Sequence, residues 1–143
     1  MSELKATPHS GQGASAYTVA IIDDDRITAN GFAAFLEMLG FNSVIFAGPR
    51  QALTRLNQAA PDLILLDINM PGMDGYEVCR YFKRELTTAK TPIVIVSAHS
   101  SENDKALAFE AGASAYLVKP VTIEALKICV ESFLRPAGAD AIM

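Results

Sequence analysis

Five short apolar segments alternate with longer segments of helical periodicity, and this alternation constrains the fold more than any other feature of the sequence. The apolar segments are residues 18–22, 43–46, 63–66, 93–96 and 115–118. Each is rich in β-branched residues or leucine and shows no regular polar alternation, which is typical of strands that are buried on both faces of a sheet.

The segments between these strands carry the signals that start and stop helices. They predict helices over residues 27–39, 50–60, 75–85, 101–112 and 123–133. Gly40 can end the first helix and Pro49 can open the second, while Asp74, Ser101 and Thr122 can cap the other three. Five strands in strict alternation with five helices, joined by right-handed crossovers, predict an α/β fold with an open, doubly wound parallel sheet.

Length and composition favour one packed domain. The chain has 143 residues, of which 50% are hydrophobic and 20% are charged. Residues 1–16 are rich in Ser, Gly and Ala without periodicity, so we expect a flexible arm there, a domain over 17–135 and a loose tail over 136–143. Because the tail is too short to fold as an output domain, we expect signalling through a partner.

Charge and cysteine content narrow the function classes. The net charge of −4 argues against nucleic acid or an anionic membrane surface as the main partner. Cys79 and Cys129 form no metal-binding or disulfide pattern, and no segment is long and apolar enough for a membrane helix. We therefore expect a cytoplasmic protein with two buried thiols.

Polar or charged residues follow four of the five predicted strands. They are Asp23, Asp24 and Asp25 after the first strand, Asp67 after the third, Ser97 after the fourth and Lys119 after the fifth. Open parallel sheets bind ligands at the carboxyl ends of their strands, so we expect these side chains to meet. A single aspartate at a strand end is most often a helix cap or a solvated turn residue, but that alternative explains four simultaneous occurrences poorly.

The chemistry of such a cluster predicts a phosphorylation site. Converging carboxylates repel one another unless a cation compensates, and oxygen ligands without thiol or imidazole suit Mg²⁺. A lysine and a hydroxyl beside them can stabilise phosphoryl oxygens. One carboxylate can then act as the nucleophile, with the metal ion as Lewis acid.

Four sequence blocks resemble the receiver domain of two-component response regulators. Among these proteins, the chain is most similar to the single-domain regulators of the chemotaxis type. The four blocks are AIIDDD (20–25), LLDINMPGMDG (65–75), IVSA (95–98) and YLVKP (116–120). The resemblance extends over 17–135 and is most specific in the run from Asp67 to Gly75. It implies a flavodoxin-like (βα)5 sheet with the strand order 2-1-3-4-5.

The resemblance implies how the carboxylates act. Asp67 would be the phosphoacceptor, and its donor would be a histidine kinase or a histidine phosphotransfer protein. Mg²⁺, for which Mn²⁺ can substitute, would bind Asp24 directly, Asp23 through water, Asp67, and the backbone carbonyl of Asn69. Asp25 lies one place beyond the usual acidic pair, which fits a cap of the first helix or acidic surroundings.

The resemblance also implies roles for the remaining site residues. Ser97 and Lys119 would contact the phosphoryl group, and Tyr116 would turn inward on activation together with Ser97. Asn69 and His99 occupy the two positions at which the family sets the phosphoryl lifetime. The Lys119-Pro120 bond is expected to be cis. Taken singly, Tyr116 also fits a core residue, Lys119 a solvated strand end and Asn69 a turn residue.

These roles predict a signalling switch rather than a turnover enzyme. Phosphorylation would alter a surface that extends from Asn103 to Phe133 and binds a downstream protein, without direct nucleic-acid binding. A phosphorelay intermediate and a receiver fragment of a larger regulator remain as alternatives, as does a binding module of this fold that is not phosphorylated.

An enzyme of a different class is a further alternative. Asp23 and Asp25 resemble the nucleophile loop of haloacid-dehalogenase-type phosphatases. However, Ile27 stands where that family has Thr or Val, and Asp67 would have no role.

Overall fold

Five strands and five helices alternate over residues 17–134, the part of the chain that this computed structural model describes. The predicted arm over 1–16 and tail over 136–143 lie outside the described residues. The strands are β1 (Thr18–Ile22), β2 (Asn42–Phe46), β3 (Leu63–Asp67), β4 (Ile93–Ser97) and β5 (Ala115–Val118). The helices are α1 (Arg26–Met38), α2 (Pro49–Leu56), α3 (Gly75–Arg84), α4 (Glu102–Glu110) and α5 (Ile123–Phe133).

The strands form one parallel sheet in the order β2-β1-β3-β4-β5, which confirms the predicted fold class. Helices α2, α3 and α4 cover one face of the sheet, and α1 and α5 cover the other. The connections leave β1 and β3 in opposite directions along the sheet, so a crevice opens at the carboxyl ends of these two neighbouring strands.

Burial differs between the central and the outer strands. Every residue of β3 and β4 is buried, as predicted. The prediction of burial on both faces is wrong for β2 and β5, where Ile45 and Val118 are exposed. These two strands form the edges of the sheet, so each has a hydrogen-bonded neighbour on one side only and less cover from the helices.

Side-chain caps fix where the helices begin. Asp25, Asp74, Ser101 and Thr122 each accept a hydrogen bond from a backbone N–H in the first turn of the helix that follows. Helix α2 is shorter than predicted, because the chain turns after Leu56.

Strands β3 and β4 are each one residue longer than their apolar segments. Asp67 pairs with Val96 and Ser97 pairs with Val118, so backbone pairing continues into the polar residues.

The two cysteines differ in exposure. Cys79 is buried, as predicted, whereas Cys129 packs against the core under α5 but is only partly buried. Burial raises the pKa of each thiol to about 11, so both are protonated at neutral pH. Between residues 17 and 134, no helix has the length and apolar character that crossing a membrane requires.

The start of α3 lies so close to the end of β3 that only glycine fits at position 75. A Cβ atom there would lie 2.4 Å from the Cα atom of Ile68, the residue after Asp67. We expect Gly75→Ala to lower the free energy of unfolding by about 1–3 kcal/mol, because backbone must move to admit the methyl group. Urea denaturation measures this change.

Gly31 provides the matched control for this substitution. It lies inside α1, and a Cβ atom there would have no neighbour within 4 Å. Gly31→Ala should therefore raise the free energy of unfolding by about 0.5–1 kcal/mol. Equal stabilities of the Gly75→Ala and Gly31→Ala variants would contradict the close approach of α3 to Ile68.

Candidate functional site

The parallel register brings the predicted site residues to one edge of the sheet. Ile22 of β1 pairs with Leu66 of β3, so Asp23 and Asp67 follow at the same level. One strand further along, Ser97 ends β4 beside the last residue of β5, and Lys119 comes next. Four residues that are up to 96 positions apart in the chain therefore lie side by side.

Three carboxylates meet at this edge. One oxygen from each of Asp23, Asp24 and Asp67 lies within 4.8 Å of the other two. Asp23 and Asp67 are only 2% and 5% exposed, whereas Asp24 is open to solvent. Two buried carboxylates with a third at the solvent boundary, without thiol or imidazole in the cluster, form a donor set that fits Mg²⁺.

Electrostatics at Asp23 show why this cluster favours a cation. Burial raises the pKa of the Asp23 carboxyl, and the nearby Asp67 carboxylate raises it further. Two effects lower this pKa. The backbone N–H of Asp25 donates a hydrogen bond of 2.9 Å to the Asp23 carboxylate, and the ammonium of Lys119 favours its charged form. An added dication would favour the charged form of both carboxylates.

Lys119 supplies the positive charge that faces the two buried carboxylates. Its Nζ atom lies 3.4 Å from Asp23 Oδ2 and 3.4 Å from Asp67 Oδ2. The backbone N–H of Lys119 donates to the Ser97 carbonyl at 2.8 Å, and the Lys119-Pro120 bond is cis, as expected. The ammonium bridges both carboxylates with long contacts, so it can turn toward an arriving anion.

Asp67 and Ser97 are linked through Asn69. The backbone N–H of Asn69 donates to Asp67 Oδ1 at 3.0 Å, and its side-chain Nδ2 donates to Ser97 Oγ at 3.4 Å. Ser97 is fully buried, and its Oγ also accepts the backbone N–H of His99 at 3.0 Å. The sequence suggested a metal-ligand carbonyl and a lifetime position for Asn69, but no local signal indicated its contact with Ser97, which is 28 residues away.

Tyr116 contacts the loop that follows β4. Its hydroxyl donates to the backbone carbonyl of His99 at 2.9 Å, and its ring packs against the core beneath α4. The side chain of His99 itself lies in an exposed position. The structure thus joins Ser97, His99 and Tyr116 in one chain of contacts, while the inward movement of Tyr116 stays a prediction.

Asp25 lies outside the carboxylate cluster and caps α1. Its Oδ1 accepts the backbone N–H of Ile27 at 3.3 Å, and its Oδ2 accepts the Thr28 hydroxyl at 2.6 Å. The hydrogen bond from the Thr28 side chain is the largest cause of a lowered pKa at the Asp25 carboxyl; desolvation opposes it, and backbone hydrogen bonds from Ile27 and Thr28 lower the pKa further. Asp25 therefore fits the helix-cap role, one of the two that the sequence left open for it.

A groove of about 500 Å³ adjoins the site on the side of α1. Phe32 and Phe35 of α1 line one wall, and residues 119–121 line the other. Because Lys119 belongs to this wall, a molecule bound in the groove would touch the residue whose ammonium faces Asp67.

Comparisons with known proteins agree with this geometry. Residues 19–131 match the family described as the response regulator receiver domain. The sensory transduction protein RegX3 of Mycobacterium tuberculosis is 32% identical over 123 residues, which cover 86% of this chain and 53% of that protein. The DNA-binding response regulator MtrA of Mycobacterium leprae is 34% identical over 117 residues, which cover 82% of this chain and 51% of that protein.

Solved structures resemble the fold over most of its length. A putative response regulator from Chloroflexus aurantiacus has a TM-score of 0.79 at 30% identity and covers 82% of this chain and 97% of its own. The chemotaxis protein CheY4 of Vibrio cholerae has a TM-score of 0.79 at 28% identity and covers 84% of this chain and 100% of its own. The chain spans about half the length of the curated relatives that it matches.

Proposed function

The chain belongs to the response regulator receiver family, and we propose that it takes a phosphoryl group on Asp67 in a Mg²⁺-dependent reaction and acts through the resulting phosphoaspartate. The observation that carries this proposal is the contact of one ammonium, that of Lys119, with two buried carboxylates, Asp23 and Asp67, beside the exposed Asp24. This arrangement concentrates negative charge at one point and leaves room for a cation that would offset it.

In the proposed transfer, a carboxylate oxygen of Asp67 attacks the phosphorus atom of a phosphohistidine. The new P–O bond forms as the P–N bond breaks, and the imidazole leaves with the electron pair and takes up a proton. A separate hydrolysis returns the switch to its unphosphorylated state. Water attacks the phosphorus atom, the P–O bond to Asp67 breaks, and inorganic phosphate and the free carboxylate remain. Positioning and charge stabilisation account for most of the rate in such transfers.

The metal site would use residues that already converge. Asp24 and Asp67 would be direct carboxylate ligands, Asp23 would act through water, and Asn69 would contribute its backbone carbonyl. When bound, Mg²⁺ acts as a Lewis acid that neutralises charge on phosphoryl oxygens. The chain supports this site by holding Asp23 and Asp67 in place: the backbone N–H of Asp25 binds Asp23 Oδ1, and that of Asn69 binds Asp67 Oδ1.

Lys119 and Ser97 would stabilise the phosphoryl oxygens from the other side. Lys119 already lies 3.4 Å from Asp67 Oδ2, so a phosphoryl group on that carboxylate would meet its ammonium. Ser97 is buried next to Asp67 in the sheet and can donate its hydroxyl proton. As they move toward the phosphoryl group, the loop after β4 and Tyr116, which are bonded to Ser97 and His99, would move with them.

The partners in this proposal are proteins. The donor is a histidine kinase or a histidine phosphotransfer protein, which would approach Asp67 over the groove beside Lys119. The output is a surface that extends from Asn103 to Phe133 and binds a downstream protein. The chain acts as a switch and not as a turnover enzyme. We place it in the cytoplasm, because Cys79 and Cys129 are free thiols and reducing compartments preserve such thiols.

Incubation with acetyl phosphate tests the proposed function. With Mg²⁺, the intact mass of the wild-type chain should rise by one phosphoryl group, and the mass of Asp67→Asn should not change. Without Mg²⁺, the mass of the wild type should not change either. Steady turnover of a generic phosphate ester by the wild type, retained in Asp67→Asn, would contradict the proposal and favour a phosphatase.

A further inference from the structure

The hydroxyl of Ser97 accepts two hydrogen bonds and therefore has a fixed orientation. A serine oxygen has two acceptor lone pairs and one proton. The backbone N–H of His99 takes one lone pair at 3.0 Å, and Asn69 Nδ2 takes the other at 3.4 Å. No residue between 17 and 134 accepts the hydroxyl proton, so this proton is the one part of the group that remains available to a ligand.

Of the two residues that donate to Ser97 Oγ, His99 and Asn69, it is Asn69 that also contacts Asp67, the proposed phosphoacceptor. Its backbone N–H binds Asp67 Oδ1 at 3.0 Å while its side chain reaches Ser97. One residue thus ties the carboxylate of β3 to the hydroxyl of β4. If a phosphoryl group lies on Asp67, the Ser97 hydroxyl proton that Asn69 orients would be available to the phosphoryl oxygens.

Residue 97 is a serine, and a serine side chain needs the contact with Asn69 more than a threonine side chain would. Threonine has two heavy atoms on Cβ, which restrict its χ1 angle, whereas serine can place Oγ in any of three staggered positions. A buried serine at the site therefore needs an external restraint to hold its oxygen in one position. The hydrogen bond from Asn69 supplies that restraint in addition to the backbone N–H of His99.

We propose that the side-chain amide of Asn69 is a positioning group for Ser97, which holds Oγ in the unphosphorylated protein so that its proton is ready for an incoming phosphoryl group, before Ser97 moves toward that group on Asp67. This inference rests on the proposed function. It differs from a direct action of Asn69 on the phosphoryl group or on attacking water, because it makes the effect of Asn69 depend on what residue occupies position 97.

A double-mutant cycle tests this dependence. Wild type, Asn69→Ala, Ser97→Ala and the double variant are compared in their rates of phosphorylation by acetyl phosphate at saturating Mg²⁺. We expect Asn69→Ala to slow the reaction about 3- to 10-fold with serine at position 97, which corresponds to one lost hydrogen bond. In the Ser97→Ala background, we expect the same substitution to change the rate less than about twofold.

Replacement by threonine supplies the rescue experiment. In the Ser97→Thr background, the Cβ methyl restricts the rotamer, so Asn69→Ala should again change the rate less than about twofold. Far-UV circular dichroism and urea denaturation confirm folding of each variant. The Mg²⁺ affinity should stay unchanged in Asn69→Ala, because the backbone carbonyl is kept.

The outcomes separate the positioning role from the proposed function itself. An equal loss from Asn69→Ala with serine, alanine and threonine at position 97 would overturn the positioning role, since Asn69 would then act without Ser97. An unchanged rate in Asn69→Ala would overturn it as well. If the wild type takes up no phosphoryl group at Asp67, the proposed function fails, and that failure is visible before any variant is compared.

Discussion

Replacing Lys119 by methionine should slow phosphoryl transfer to Asp67 by about 10²-fold or more, the cost of removing one preorganised charge from a site where charge develops. The ammonium is 3.4 Å from Asp67 Oδ2, and its side chain is only 24% exposed, so solvent cannot fully replace it. Methionine keeps most of the chain length without the charge. The rate of mass increase with acetyl phosphate and Mg²⁺ measures the effect.

Lys119→Arg and Lys90→Met are the controls for this prediction. Arginine keeps the positive charge in a planar group of different shape, so Lys119→Arg should retain more activity than Lys119→Met. Lys90 lies exposed in the loop before β4, at the opposite end of the strands, and Lys90→Met should react at the wild-type rate. A Lys119→Met variant that is folded and reacts as fast as wild type would remove Lys119 from the site.

Mg²⁺ should stabilise the folded protein, and Asp24→Asn should abolish most of that effect. A metal ion that binds only the folded chain at 100 times its Kd raises the free energy of unfolding by about 2.7 kcal/mol. If loss of the Asp24 charge weakens binding about 100-fold, the same Mg²⁺ concentration gives only about 0.4 kcal/mol. Urea denaturation with and without Mg²⁺ measures this difference independently of phosphorylation.

The neighbouring Asp25 provides a matched control for Asp24. Both side chains are exposed and adjacent in sequence, but Asp25 caps α1 and lies outside the carboxylate cluster. Asparagine is as good an N-cap as aspartate, so Asp25→Asn should keep both the stability of the protein and its response to Mg²⁺. A loss of the Mg²⁺ response in Asp25→Asn and not in Asp24→Asn would reverse the two assignments.

The fold was predictable because the relevant signals are local and repeated. Buried strands are continuous in Val, Ile and Leu, and the caps Asp74, Ser101 and Thr122 occupy the positions that sequence rules assign them. Errors arose where tertiary neighbours decide the outcome. The sequence of β2 resembles that of a central strand, but its position at the sheet edge leaves Ile45 exposed.

The sequence predicted which residues form the site, but it did not predict which of their side chains contact one another. Four strand ends rich in Asp, Ser and Lys indicated where the chemistry lies, because parallel strands bring their carboxyl ends together. No sequence rule specifies that Lys119 contacts Asp23 and Asp67 equally, or that the amide of Asn69 reaches Ser97. These contacts depend on side-chain rotamers and strand register.

The position of the phosphoryl group on the chain decides whether Asp67 is the phosphoacceptor. An acyl phosphate on an aspartate is reduced by borohydride to homoserine, which tandem mass spectrometry assigns to a position. After incubation with acetyl phosphate and Mg²⁺, we expect homoserine at position 67 and unreduced aspartate at positions 23, 24 and 25. Homoserine at position 23, with Asp67 unmodified, would contradict the assignment of Asp67 as the phosphoacceptor.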